Sequence, residues 1–296
     1  MSIRVEAYVL MKRAWRADFE GVASDFEWRY PQIGKPRLMR NRGNDHQAAI
    51  VVEGAQVEIS AVSAPYPQEQ LHPPMRTLGH DAAEVDRLTE GQAAYAVVST
   101  SFDGDGLDIN LAHAALVTLM TGVVAHRANA LAVIWPDSWV CQTPKAFEDA
   151  AASVLRGQAP VNLWCAFAQS NPPQLGGAEM TGIVSFGLRK FIGRELELAP
   201  TPAVPGEAIA CMREAARRLL AGEWEPADYG EIALKSFASP LGVRLADQGF
   251  LRPGMPAVVL VAPEAAVDLR TLARKTGKDA PAAEGAGLLK RIFGRG

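Results

Sequence analysis

Apolar and polar positions alternate over residues 5–11 (Val-Glu-Ala-Tyr-Val-Leu-Met), the period-two pattern of a strand. Over residues 17–28 the period changes. Phe19, Val22, Ala23 and Phe26 recur at helical spacing. Residues 35–45 are basic and polar, with Asn41, Gly43 and Asn44, and predict a loop or a hairpin tip. Residues 48–52 and 56–62 predict two strands joined by a turn at Glu53-Gly54. Pro65 and Pro67 stop the second strand, because proline fixes φ and removes a ladder donor. A helix over 81–89 and a strand over 93–100 follow.

The second half opens with Asp108 as N-cap of an almost wholly apolar helix over 109–127, which such composition buries on most faces. Residues 130–135 form an apolar strand. Thr143 caps and Pro144 starts a helix running to 156. Strands are predicted over 161–168, 181–186 and 195–199, the last two pairing across Arg189-Lys190, and residues 171–177 form a loop. Residues 205–221 form an amphipathic helix with Ile209, Met212, Ala216, Leu219 and Leu220 on one face. Segments 230–237 and 257–262 close the ordered part. Beyond Pro263, residues 277–287 read as a flexible linker. It leads to a short basic amphipathic tag, whose Leu289, Lys290, Arg291 and Phe293 could dock on a partner or an anionic surface.

This order predicts an α+β fold: mixed, largely antiparallel sheets with helices packed on one face. Strand, helix, strand pair, helix, strand over 5–100 has a similar counterpart over 130–237. The repeat raises the hypothesis of two ferredoxin-like halves, with one continuous mixed sheet as the alternative. The corresponding boundaries are an N-terminal half, 1–105, a C-terminal half with its joining helix, 106–263, and a basic tail, 264–296.

Composition narrows the function classes. The 296 residues are 48% hydrophobic and 21% charged, which excludes a disordered or collagen-like chain. Thirty basic and 33 acidic residues give a net charge of −3, which argues against nucleic acid held by massed positive charge. No secretory signal is read at the start. The longest apolar-rich stretch, 111–125, is shorter than the roughly 20 residues a bilayer needs, so no stable membrane insertion is expected. Cys141, Cys165 and Cys211 are odd in number and far apart, which favours free thiols and a cytoplasmic setting.

Candidate chemistry is sparse. Asp103-Gly104-Asp105 resembles the start of a calcium loop, but position five is Leu107 and position twelve is Ala114, so the ligand set fails. His46, His72, His80, His113 and His126 lack ligand spacing, and neither a metal nor a cofactor is expected. Ser185 has Gly187 two residues on but Ile183, not glycine, two residues before, so it is not a nucleophile elbow. Glu195 and Glu197 project from one strand face. Paired carboxylates can divide acid and base work, but the same spacing describes a solvent-facing surface, the preferred reading. Trp135-Pro136-Asp137-Ser138-Trp139 brackets a rigid turn with two indoles. Trp135, Asp137 and Trp139 are therefore binding candidates, against the alternative that both rings cover the core edge.

Several pieces together resemble the uncharacterised bacterial family of domain of unknown function 4261. They are Ala64-Pro65-Tyr66-Pro67, the apolar helix followed by residues 130–136, and above all Thr181-Gly182 leading through Phe186-Gly187 to Glu195-Leu196-Glu197-Leu198. The resemblance runs from about residue 48 to 237. It implies a bacterial cytosolic α+β protein and assigns no catalytic residues. With no convergent catalytic set, the expectation is a non-catalytic protein that binds another protein, of accessory or toxin-neutralising type, with self-association left open. The alternative is a small-ligand binder or enzyme with a pocket near Trp135–Trp139.

Overall fold

The computed structural model describes residues 2–40, 45–72, 77–78, 81–104, 106–170 and 180–263. In chain order these form β1 (Ser2–Met11), α1 (Phe19–Arg29), β2 (Arg37–Arg40), β3 (Gln47–Val52), β4 (Ala55–Val62), β5 (Thr77–Leu78), α2 (Ala82–Thr89), β6 (Ala94–Asp103), α3 (Leu107–Arg127), β7 (Ala132–Trp135), β8 (Val140–Gln142), α4 (Pro144–Leu155), α5 (Val161–Trp164), β9 (Ala166–Ser170), β10 (Thr181–Phe186), α6 (Arg189–Ile192), β11 (Glu195–Thr201), α7 (Pro205–Leu220), β12 (Glu231–Ile232), β13 (Leu241–Ala246) and β14 (Ala257–Val261). They divide into two units: residues 2–72 with 81–163, and residues 77–78 with 164–263.

The first unit is a seven-stranded sheet in the order β2-β3-β4-β6-β1-β7-β8, antiparallel at every pairing. Val5, Ala7 and Val9 lie opposite Thr100, Val98 and Ala96, and residues directly opposite share a face. That face carries α3, flanked by α1 and α4. His113 of α3 fits there as a core residue: its Nδ1 lies 3.0 Å from Thr100 Oγ and its ring stacks 3.9 Å from Phe102. Burial lowers its pKa. Counted from Leu107, α3 has 21 residues and is long and apolar enough to cross a membrane, which the 111–125 stretch alone is not. Most of it is buried, packed on β1, β6 and α4. The opposite face is covered at one end by Tyr66, Leu71 and Val85, which pack on Leu10, Ala132 and Ile134. Val85 belongs to α2, so α2 departs from the expected one-sided layer.

The second unit is a seven-stranded sheet in the order β12-β13-β14-β11-β10-β9-β5. Only β11 and β14 run parallel; the other pairings are antiparallel. Helix α7 packs against β9, β10 and β11 and buries Ala208, Cys211, Met212 and Leu219.

The α+β class and the largely antiparallel pairing agree with the sequence expectation. The halves do not. Each sheet has seven strands rather than the four of a ferredoxin-like unit. The units part near 163/164 rather than 105/106, because α3 is buried on β1 and β6 of the first sheet.

Local differences have local causes. The polar stretch 35–45 contains β2, which completes an edge where polar side chains are tolerated. Residues 161–164 are helical, since a short apolar run fits either state. Gly106, at φ 145°, caps α3, while Asp108 lies in its first turn, where its charge still opposes the helix dipole. Thr143 does cap α4, accepting from the Ala146 amide at 3.2 Å. The 171–177 loop and everything past 263 lie outside the described residues.

Candidate functional site

An open groove of about 960 Å³ lies in the first unit. It forms where β1 ends at Met11, residues 12–18 lead into α1, and α3 ends at Arg127. Asp18 is the N-cap of α1, its Oδ1 accepting from the Gly21 amide at 2.9 Å. Its other oxygen accepts from Arg127 Nη2, and Arg127 Nη1 donates to Asp25 Oδ2 at 2.7 Å. One guanidinium thus ties the end of α3 to the start of α1. A Cβ at Gly21 would come within 2.0 Å of that guanidinium, so a larger residue there would displace the Arg127 side chain from its present place.

Lys12, Arg13 and Arg16 line the same groove. All three are exposed, and none has an ion pair among the described residues. Trp15, half-buried between them, stands edge-on to Phe19 with centroids 6.1 Å apart. Three uncompensated cations around an indole attract anionic groups and offer a flat apolar surface beside them. Asp18 and Asp25, tied to Arg127, offset only part of this field: the lining sets Lys12, Arg13, Arg16 and Arg127 against two carboxylates. Sequence reasoning passed over the site. Its signal is Lys-Arg-Ala-Trp-Arg: three cations and a tryptophan in five residues with no acid among them.

The second unit holds a different concentration of charge. Glu195 and Glu197 share one face of β11, as their spacing predicts, but that face is not solvent-exposed: they are 5% and 1% exposed. Strand β11 is central, paired with β10 on one edge and β14 on the other. Glu195 Oε2 accepts from Ser185 Oγ at 2.6 Å, and Oε1 accepts from the Gly187 amide at 3.1 Å. Ser185 Oγ in turn accepts from the Leu196 amide at 2.7 Å. Glu197 accepts from the Leu251 and Arg252 amides, each at 3.0 Å. A Cβ at Gly249 would lie 2.2 Å from Glu197 Oε1, so glycine there admits the carboxylate.

Burial pushes the Glu195 carboxyl up to about 7, partly offset by Ser185 and the amides of Arg189 and Gly187. Burial raises Glu197 as well. Nearby, Cys165 is buried, and burial and the Glu195 charge both push its thiol well up, away from a reactive thiolate. With both Ser185 and Glu195 buried and hydrogen-bonded, this arrangement fixes β10 and the turn after it to β11. Among the described residues, no three His, Cys, Asp or Glu side chains gather as a metal requires.

The remaining sequence candidates lie apart from the groove lining. Trp135 is 1% exposed at the end of β7 and fills the core. Ser138 Oγ donates to the Leu163 carbonyl at 2.7 Å and pins the turn. Trp139 is half-buried, with φ 52°. Trp135, Asp137 and Trp139 belong to the first unit, and Glu195 and Glu197 to the second. Leu289, Lys290, Arg291 and Phe293 lie outside the described residues. No protein-family model, curated protein or solved structure matches the chain.

Proposed function

We propose that this protein is a non-catalytic binding module whose 12–16 groove holds an acidic segment of a protein partner. The observation that carries the reading is the trio Lys12, Arg13 and Arg16, exposed around Trp15 in an open groove and without ion pairs among the described residues. Each rim ion pair contributes only about 0–1 kcal/mol, so the cations chiefly steer and orient, while the indole supplies buried area. A cytoplasmic bacterial protein of accessory type, close to the family of domain of unknown function 4261, is part of the same proposal. What supports it is the 181–198 segment and the three free cysteines.

The test is fluorescence anisotropy with a labelled glutamate-rich peptide and a lysine-rich control. The glutamate-rich peptide binds the full chain, binding weakens steeply with salt, and Lys12→Glu with Arg16→Glu weakens it at least about tenfold. Equal affinity for the two peptides, or none for either, overturns the reading.

A further inference from the structure

The second unit carries a stretch that mirrors the groove in chemistry. Residues 223–231, which run from the end of α7 into the first residue of β12, read Glu-Trp-Glu-Pro-Ala-Asp-Tyr-Gly-Glu: four carboxylates, two aromatic rings and no basic side chain. The groove segment 12–16 is its inverse, with three cations, one indole and no acid.

The fold holds this acidic stretch out to solvent. Tyr229 is 64% exposed although its φ is 62°, a left-handed conformation that a bulky residue rarely adopts. Backbone bonds impose it. The Tyr229 amide donates to the Val243 carbonyl at 3.0 Å, and the Val243 amide donates to the Gly230 carbonyl at 2.8 Å. The Arg244 guanidinium lies 3.4 Å from the ring centroid and covers one side of the ring. Such strain, held by the surrounding structure, marks a side chain fixed for presentation. Two of the four carboxylates are already used: Asp228 accepts from the Leu245 amide at 3.1 Å, and Glu223 pairs with Arg217 at 3.1 Å. Glu225 and Glu231 are exposed and have no ion pair among the described residues.

We infer that the occupant of the 12–16 groove is the 223–231 segment of a second copy of this chain. The inference rests on the reading of the groove as a site for an acidic segment and names that segment. Free cations face free carboxylates, and each surface brings an aromatic ring to be covered. Rim ion pairs are individually weak and screened by salt, so association is concentration-dependent and salt-sensitive. Groove and segment are different patches. Used reciprocally, they form an isologous contact that closes a pair of copies; used one way, the contact is heterologous and either closes a ring or propagates.

The experiment is sedimentation velocity on the full chain at low salt and rising concentration. The expected result is a mass above that of one chain, returning to it near 1 M salt, where the Debye length is only about 3 Å. Two charge-reversed proteins sharpen it: Lys12→Glu with Arg16→Glu, and Glu225→Lys with Glu231→Lys. All four positions are exposed, and circular dichroism checks that both variants fold. Each variant alone stays monomeric, and an equimolar mixture of the two associates again, because each then offers a groove opposite in charge to the other's segment. Association that survives either reversal, or a mixture that stays monomeric, overturns the inference. If the wild type is monomeric while the groove still binds the glutamate-rich peptide, self-docking fails and the groove reading stands. If the groove binds no acidic peptide either, both fail.

Discussion

Glu195 and Glu197 in the second unit and Lys12, Arg13 and Arg16 in the first are both dense clusters of like charge, yet the fold treats them oppositely. The carboxylates are taken out of water, and each is surrounded by donors from its own chain. The cations stay in water and have no ion pair among the described residues. Desolvating a charge is costly unless hydrogen bonds replace the lost water, and removing one partner leaves the other stranded. The carboxylates therefore bear on stability. Exposed cations contribute little to stability and stay available to bind. The groove itself repeats the lesson, since Arg127, with two carboxylate partners, belongs with the structural charges although it lines the same wall as Arg16.

The largest effect follows from removing a carboxylate. Glu197→Ala strands the amides of Leu251 and Arg252. A buried donor left unsatisfied costs about 1–3 kcal/mol, and because Leu251 and Arg252 are only half-buried the two together lower stability in urea denaturation by about 2–4 kcal/mol. A change under about 0.5 kcal/mol, typical of surface substitutions, breaks the comparison by showing that the Glu197 contacts carry no stability.

The second test uses pH. The Glu195 carboxyl is raised from its ordinary 4.5 to about 7, with burial the main cause. Between those values the folded protein keeps a proton that the unfolded chain releases, so this group's contribution to stability is fully present below about 4.5 and is lost as pH rises through about 7. A rise of that size corresponds to about 3 kcal/mol. Glu195→Gln removes the titration. Its stability, followed by denaturation from pH 4 to 8, therefore gains relative to wild type by up to that amount as pH increases. Parallel pH profiles for the two proteins contradict the placement of a titrating carboxyl in the core.

Much of this fold was legible where a pattern is local. The β3–β4 hairpin declared itself through two alternating runs and Glu53-Gly54, whose φ angles of 49° and 85° are those a tight turn demands. Thr143-Pro144 marked the start of α4, and α7 showed its apolar stripe. What failed depends on partners distant in sequence. Strand β2 is short, and residues 37–40 (Arg-Leu-Met-Arg) carry no clear alternation until β3 is beside them. Strand β13, over Leu241–Ala246, is the exception: Leu241, Val243 and Leu245 alternate with Gly242 and Arg244, a local signal that went unread. The Glu195 and Glu197 spacing placed both side chains on one face correctly, but only the pairing of β11 on both edges explains why that face is dry. The 12–16 cluster was in plain view. It was missed because three cations in a loop look like a solvated surface until α3 and α1 are seen to build a groove around them.

The smallest stability effect is the most discriminating. Lys12→Ala and Arg16→Ala remove exposed side chains that have no ion pair among the described residues, so each changes folding stability by less than about 0.5 kcal/mol. Arg127→Ala, in the same groove, unties two carboxylates and costs more, about 1–2 kcal/mol, discounted because both ion pairs are partly in solvent. For binding of the glutamate-rich peptide Lys12→Ala and Arg16→Ala each weaken it although they barely alter stability, whereas Arg127→Ala lowers both, because it leaves Asp18 and Asp25 unpaired in the same lining. Denaturation curves and anisotropy on the same three proteins decide the matter. If Lys12→Ala and Arg16→Ala leave affinity unchanged, or lower stability as far as Arg127→Ala does, the groove does not separate the charges that build it from those that bind, and Lys12 and Arg16 belong with Glu197 as structural residues.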